Sequence, residues 1–310
     1  MRPPRVAPVL AALLHLGLLA KAELRDVPSP EDFVRKFSAT AIVVGDYVYI
    51  DGGAIVQLEN GAIRESRKTN QVNSTLSIDL SKSWITTEVK FREIPKAPGP
   101  VKANVALWAD PIRNSFYSWG GKWEYGANMT EMTLWKFSAD GSGGGRWSAE
   151  TPSNPSTFNG LVPAEFMAFA STNNTGYAIG GIASGWTELH RGHSQVIPGM
   201  LSYNFDTKEW TNGTISEGFS PFHTLAMASA HYVPTFGPNG LIMVLGGHRL
   251  EVDEEPSVGN SPAFNFENMT FFDPVAKKTY SQKATGSIPA SPRSEFCATG
   301  FQNTDGGYEM

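Results

Sequence analysis

The sequence has little cysteine, little charge and few long apolar runs, and each shortage excludes a class of protein. Cys297 is the single cysteine in 310 residues, so the domain must hold together by packing without an internal disulfide. Charged residues make up 18% of the chain and the formal net charge is −5, with no basic stripe. We therefore expect no nucleic-acid partner and no binding to an anionic membrane surface. Beyond residue 22 no apolar stretch approaches the roughly 20 residues of a membrane-spanning helix.

Catalytic and metal-binding motifs are missing as well. The sequence contains neither the Gly-x-Ser-x-Gly nucleophile elbow nor the Gly-x-x-x-x-Gly-Lys-Ser/Thr phosphate loop. His190 and His193, with Glu188 nearby, fall short of the three or four ligands that zinc takes. The acidic run at 251–255 has no EF-hand spacing. We predict no cofactor and no metal site, and leave open a pair of distant carboxylates for glycoside hydrolysis.

Glycine (31 residues), proline (21 residues) and aromatic residues (11% of the chain) are plentiful instead. This balance is typical of many short strands joined by tight turns, so the sequence predicts an all-β fold. The glycine-rich stretch 141–145 is expected to be a flexible hairpin tip, because no helix follows it to bind phosphate.

The first 22 residues have the pattern of a secretory signal peptide, and residues 23–37 follow as a lead-in segment. Arg2 and Arg5 precede an apolar stretch at 6–20, and Ala20-Lys21-Ala22 has the small-x-small pattern of a cleavage site. An uncleaved N-terminal anchor is the alternative. Export is also indicated by five glycosylation acceptors at predicted turns or strand edges, namely Asn73, Asn128, Asn173, Asn212 and Asn268. We predict an exported glycoprotein, extracellular or at the cell surface.

Four β-rich runs end in a pair of glycines, and each has a polar turn between two apolar strands, as in a hairpin. The pairs are Gly52-Gly53, Gly120-Gly121, Gly180-Gly181 and Gly246-Gly247. After a longer loop each run is followed by a second hairpin with an Asp at its turn (Asp79, Asp140, Asp206 and Asp273) and a closing aromatic residue (Trp84, Trp147, Trp210 and Tyr280). A recurring aromatic implies that each unit buries it against its neighbour. Two hairpins make one four-stranded sheet, and a row of such sheets is a propeller or another β-repeat array.

This order of strands, diglycine, turn Asp and closing Trp resembles the kelch repeat of galactose-oxidase-like propellers over roughly residues 38–310. The period is stretched to about 60–70 residues, against about 50 in kelch repeats. The resemblance implies a kelch-type β-propeller with four four-stranded blades and part of a fifth, at about 38–92, 102–152, 163–216, 222–284 and 293–310. Because kelch rings typically have six or seven blades, it implies an incomplete ring, the N-terminal portion of a longer protein. Further blades or a C-terminal membrane anchor would then follow Met310.

The same resemblance raises a copper-radical oxidase as an alternative. That chemistry needs two Tyr and two His ligands, with one Tyr cross-linked to a Cys. Cys297 is the only thiol and is expected to be a small buried residue, and His231-Tyr232 reverses the order of the family's Tyr-His pair. The oxidase alternative therefore depends on ligands beyond Met310.

In a propeller the loops after the diglycines emerge on one face. These loops hold residues of the kinds that stack on sugars or anchor peptides, namely Trp123, Tyr125, Trp186, His190, Arg191, His193, His248 and Arg249. We predict a non-enzymatic scaffold that binds a protein or a glycan there. Packing of these residues against their own loops is the alternative.

Overall fold

The computed structural model describes residues 25–63, 70–124, 127–214, 219, 222–252, 263–296, 298–305 and 307–310, mostly as strands joined by turns and loops. The predicted signal peptide, Tyr125 and Cys297 lie outside the described residues. Helical structure in the described residues consists of Pro155–Asn159 and the 3-10 turn Pro111–Arg113. No helix in these ranges is long and apolar enough to cross a membrane.

Four antiparallel sheets follow one another along the described chain, each with its four strands paired in the order in which they occur. The first sheet consists of Thr40–Val44, Tyr47–Asp51, Ser74–Asp79 and Arg92–Pro95, and the second of Ala106–Asp110, Ser115–Trp119, Leu134–Ala139 and Gly145–Glu150. The third consists of Ala168–Ser171, Thr175–Ile179, Met200–Asn204 and Trp210–Gly213, and the fourth of Ser229–Val233, Leu241–Leu245, Asn268–Asp273 and Lys278–Lys283. The first sheet thus continues to Pro95, past the predicted end of its unit at 92.

Three smaller groups of strands accompany these sheets. The lead-in strand Phe33–Phe37 pairs with Ala54–Glu59, which also pairs with Ala62–Ile63 and Asn70–Gln71. Ile182–Ala183 pairs with Gln195–Val196 in the long loop of the third sheet. Phe301–Gln302 pairs with Tyr308–Glu309 after the fourth sheet.

The sheets are arranged in a row, because the first strands of consecutive sheets lie against one another from 40–44 through 106–110 and 168–171 to 229–233. Each pair of neighbouring sheets encloses its own apolar cluster. Val44, Tyr49, Phe137 and Trp147 belong to the cluster between the first and second sheets. Trp108, Trp119, Tyr203 and Trp210 belong to the next, and Tyr177, Ile179, Ile242 and Phe272 to the third.

The diglycines mark the point where each sheet meets the chain that enters the next. All eight glycines have positive φ, between 58° and 97°. The second glycine of each pair donates its N–H to a carbonyl that precedes the next unit, on Lys102, Ala164, Leu225 or Arg293. A Cβ on the first glycine would meet the same carbonyl oxygen, at 1.9 Å from Leu225 O in the case of Gly180. Only glycine allows both this backbone conformation and this approach.

A second repeated feature lies two residues before each first strand, where a non-glycine residue takes the left-handed conformation. These residues have φ between 52° and 61° and are Ser38, Asn104, Phe166, Met227 and Glu295. The N–H of Asn104 donates to Ser38 O, that of Met227 to Phe166 O, and that of Glu295 to Met227 O. The position was not predicted, because five different residue types occupy it. Glu295 continues this series of left-handed residues beyond the fourth sheet.

The predicted burial of the four closing aromatics is right for Trp147 and Trp210 and wrong for Trp84 and Tyr280. Trp147 pairs with Phe137 and Trp210 with Tyr203, so both indoles face the preceding sheet and are buried. Tyr280 pairs with Phe271, one residue out of this register, and is 48% exposed. A one-residue offset turns a strand side chain to the opposite face.

The predicted burial of Trp84 is wrong for a different reason. It lies in the loop 80–91, before the fourth strand begins at Arg92, and is 42% exposed. Because Arg92 pairs with Ser77, the register places Phe91 opposite Ile78, on the same face of its sheet as Trp147 and Trp210. Phe91 nevertheless lies before the strand begins and is 41% exposed.

The glycine-rich hairpin tip of the second sheet is docked onto the first sheet, where the sequence predicted flexibility. Gly143 lies against the ring of Tyr47, and its carbonyl accepts a hydrogen bond from Ser77 Oγ at 2.6 Å. Asp140 Oδ1 accepts the N–H groups of Ser142 and Gly144 at 2.8 and 2.9 Å. In the third sheet this turn is capped by Asn204 and not by the predicted Asp206, which pairs with Arg113 of the second sheet.

Candidate binding surface at the loops after the diglycines

The connection between the second and third strands leaves every sheet at the same end, since neighbouring strands run antiparallel and the row of sheets is continuous. Two of these loops touch. The N–H of Trp123, in the second sheet's loop, donates to Trp186 O in the third sheet's loop at 2.8 Å. Residues about 60 positions apart in the sequence therefore meet in these two loops.

Trp123 is buried beneath the loops, with only 8% of the residue exposed. The ammonium of Lys102 lies 4.6 Å from the centre of its ring. Burial lowers the pKa of Lys102 to about 8. Trp123 is thus held in the core of the loops, which is the packing alternative considered for it.

The third sheet's loop is fixed by its own hydrogen bonds. The Thr187 hydroxyl accepts the N–H of Ser184 at 2.9 Å and donates to Ser184 O at 3.0 Å. Arg191 donates to Glu188 Oε2 at 2.7 Å and to Gln195 Oε1 at 3.1 Å. The guanidinium of Arg191 therefore serves to brace the loop.

Three predicted residues of this loop point into solvent. Trp186 is 48% exposed, and His190 and His193 are both exposed. His190 takes a positive φ of 70°, which sharpens the turn after Trp186. A braced loop that presents an aromatic ring loses little conformational entropy on binding, so its geometry suits an anchor residue.

His248 and Arg249, in the fourth sheet's loop, are only partly exposed. The backbone of His248 bridges Ala226 on one side and Ala263 on the other. The guanidinium carbon of Arg249 lies 3.9 Å from the centre of the Phe264 ring, and burial lowers the pKa of Arg249. Backbone bridges therefore hold His248 in place, and the Phe264 ring holds the Arg249 side chain.

A buried carboxylate that the sequence did not single out joins the second and third sheets at this end. Glu165 Oε2 accepts from Asn104 Nδ2 at 2.8 Å and lies 3.4 Å from Lys122 Nζ. Burial raises the pKa of Glu165, opposed by the hydrogen bond from Asn104 and the charge of Lys122. The only sequence signal is that Lys122 directly follows a diglycine.

The described residues include no group of three or more His, Cys, Asp or Glu side chains that could hold a metal ion. His231 and Tyr232 alternate along one strand and so face opposite sides of it. Burial lowers the pKa of His231. These two residues do not converge on one point as copper ligands.

All five predicted glycosylation acceptors have exposed side chains. Asn73, Asn212 and Asn268 lie at strand ends on the outer half of their sheets, and Asn128 lies in the second sheet's long loop. Asn173 lies at the opposite end, in the turn between the first two strands of the third sheet. Each position leaves room for a glycan in water.

Four-stranded antiparallel sheets whose first strands form a continuous row define a β-propeller-like fold. Among the solved structures that resemble this chain, one described as the structure of YjhT aligns with a TM-score of 0.53. It is 16% identical in sequence, and the alignment covers 89% of this chain and 72% of that chain. At this identity the likeness shows the fold alone. No family model and no curated protein matches the sequence.

Proposed function

We propose that this protein is an exported, glycosylated β-propeller of the kelch type that acts as a non-enzymatic binding scaffold. It engages a protein or a glycan with the loops that follow the diglycines. The observation that carries the proposal is the exposed Trp186 ring on a loop that hydrogen bonds hold in shape. A large aromatic on a preorganised loop is the usual centre of a binding hot spot.

The exposed part of the loop supports the same proposal. Leu189 is exposed beside His190 and His193, so apolar area and hydrogen-bonding groups adjoin Trp186. The hydrogen bond from Trp123 to Trp186 O joins this surface to the second sheet, which gives it a rigid base.

The test is binding of the purified, fluorescently labelled protein to intact cells of its source and to a printed glycan array. Trp186→Ala is expected to weaken the binding at least about tenfold, the loss of a typical hot-spot aromatic. Tyr280→Ala is the matched control, since both side chains are 48% exposed and Tyr280 lies on the outermost strand of the fourth sheet.

Equal binding by Trp186→Ala and the unaltered protein would refute the proposed surface. The copper-radical oxidase makes a separate prediction, which is one bound copper per chain and peroxide released from primary alcohols. Stoichiometric copper together with peroxide release would refute the scaffold and support the oxidase.

A further inference from the structure

The connection between the third and fourth strands of the first sheet differs from those of the other three sheets. It runs from 80 to 91, whereas the equivalent connections are 140–144, 205–209 and 274–277. The short turns pack onto the preceding sheet, as Gly143 does on Tyr47. The long loop instead borders an open cleft of about 780 Å³, a volume in the range of small-ligand sites.

Trp84 forms the aromatic wall of this cleft, which we name the Trp84 cleft. Its lining residues are Ile78, Asp79, Lys82, Ser83, Trp84, Thr87, Glu88, Val89 and Lys90. The indole N–H of Trp84 donates to Asp79 O at 3.2 Å, which fixes one edge of the ring. Trp84 is 42% exposed, so part of this side chain remains accessible to a ligand in the cleft.

The other lining groups favour a neutral, hydroxyl-rich ligand. Asp79 and Glu88 balance Lys82 and Lys90 in charge, and Ser83 and Thr87 add hydroxyls. Asp79 Oδ1 accepts from both the N–H and the hydroxyl of Ser81, and these bonds lower its pKa, so the carboxylate stays an acceptor. An anionic ligand would need an excess of positive charge in the lining, and a purely apolar ligand would make no use of the hydroxyls and charges at the rim.

We propose that the Trp84 cleft binds a neutral saccharide, one sugar ring stacking on Trp84 while the rim carboxylates, ammonium groups and hydroxyls bond its hydroxyls. The cleft lies at the end of the sheets opposite to the loops after the diglycines, so this site is separate from the surface around Trp186. Asn73 is at the other end of the strand that finishes at Asp79, so a glycan there leaves the cleft open.

The experiment titrates the full chain, with its own glycans removed enzymatically, with maltohexaose, cellohexaose, mannohexaose and hexa-N-acetylchitohexaose. Trigalacturonic acid serves as the anionic probe. Tryptophan fluorescence and calorimetry report binding. At least one neutral hexasaccharide is expected to bind, with Trp84→Ala weakening it at least about tenfold and Trp84→Phe retaining affinity within about threefold.

Two controls separate the cleft from its surroundings. Ile85→Ala truncates a 61% exposed neighbour in the same loop that does not line the cleft, and it should bind like the unaltered protein. Tyr280→Ala, on the outermost strand of the fourth sheet and away from both surfaces, should do so too. The proposal is overturned if no neutral hexasaccharide binds, if only the anionic probe binds, or if Trp84→Ala binds as well as the unaltered protein. Because Trp84, Ile85 and Tyr280 are all exposed, each variant should unfold in urea with a midpoint close to that of the unaltered protein.

Discussion

The second and third sheets differ from the first and fourth in the burial of their closing aromatic residues. Trp147 and Trp210 are buried against the preceding sheet, whereas Trp84 and Tyr280 are exposed. Trp147 lies 5.4 Å from Phe116 and 5.3 Å from Phe137, measured between ring centres. Trp210 lies 5.7 Å from Trp108 and 4.6 Å from Trp119 across the boundary between sheets.

Polar partners reinforce the difference. The indole N–H of Trp147 donates to Thr75 Oγ1 at 3.0 Å, and Thr75 donates to Asp51, which pairs with Lys96 at 3.0 Å. Asn154 holds the backbone of Trp210 through two hydrogen bonds, at 3.0 and 2.8 Å. A closing aromatic therefore stabilises the row only where strand register turns it toward a neighbouring sheet.

The largest expected effect comes from truncating a buried closing aromatic. Trp147→Ala should lower the free energy of unfolding by about 3–5 kcal/mol, because it leaves a cavity and breaks the bond to Thr75. Urea unfolding followed by circular dichroism measures the change. Trp84→Ala and Tyr280→Ala are the controls and should each change stability by less than about 1 kcal/mol. Equal losses for all three variants would abolish the distinction between the second and third sheets and the first and fourth.

The next effect concerns the contact that all four sheets share. Gly180→Ala should cost roughly 2–4 kcal/mol, since the added Cβ would lie 1.9 Å from Leu225 O at a positive φ. Gly141→Ala has a positive φ but nothing within 4 Å of the added Cβ, so it should lose only about 1–2 kcal/mol. Thermal unfolding of the two variants separates backbone strain from the close approach. An equal or larger loss of stability for Gly141→Ala would mean that the close contact between Gly180 and Leu225 O does not contribute.

A smaller, pH-dependent effect is expected at the buried Lys102. Its ammonium lies against the Trp123 ring, and burial lowers the pKa of Lys102 from 10.5 to about 8. Between these values the unfolded chain binds more protons than the folded one, so stability rises with pH. The unaltered protein should therefore gain stability relative to Lys102→Met between about pH 8 and pH 10. Urea unfolding at each pH measures the difference, and a flat difference would contradict a depressed lysine pKa.

The smallest effect on stability is expected at the glycosylation acceptors. Because all five side chains are exposed, replacing Asn73, Asn128, Asn173, Asn212 or Asn268 by Gln should change the free energy of unfolding by less than about 0.5 kcal/mol. Each replacement should remove one glycan, seen as a step in mobility that disappears after glycosidase treatment. A variant with unchanged mobility would identify an acceptor that is not used.

Much of the architecture could be predicted from short stretches of sequence. Each diglycine follows an apolar strand, and positive φ at a glycine depends on the residue itself, so the ends of the second strands were recognisable. The prediction that the loops after the diglycines lie on one surface came instead from the resemblance to propellers. The exposure of their residues was not predictable, because Trp123 and Trp186 look alike in sequence and differ only in what covers them.

The sequence by itself determined the strands, the turns between them and the positions of the glycine pairs, since these depend on local conformational preference. Only the tertiary structure decided which aromatics are buried. A shift of one residue in strand pairing sends a side chain to the other face, and no local pattern distinguishes Trp147 from Tyr280 in that respect. The row of left-handed residues from Ser38 to Glu295 was also decided there, because hydrogen bonds between successive units impose the conformation on unrelated residue types.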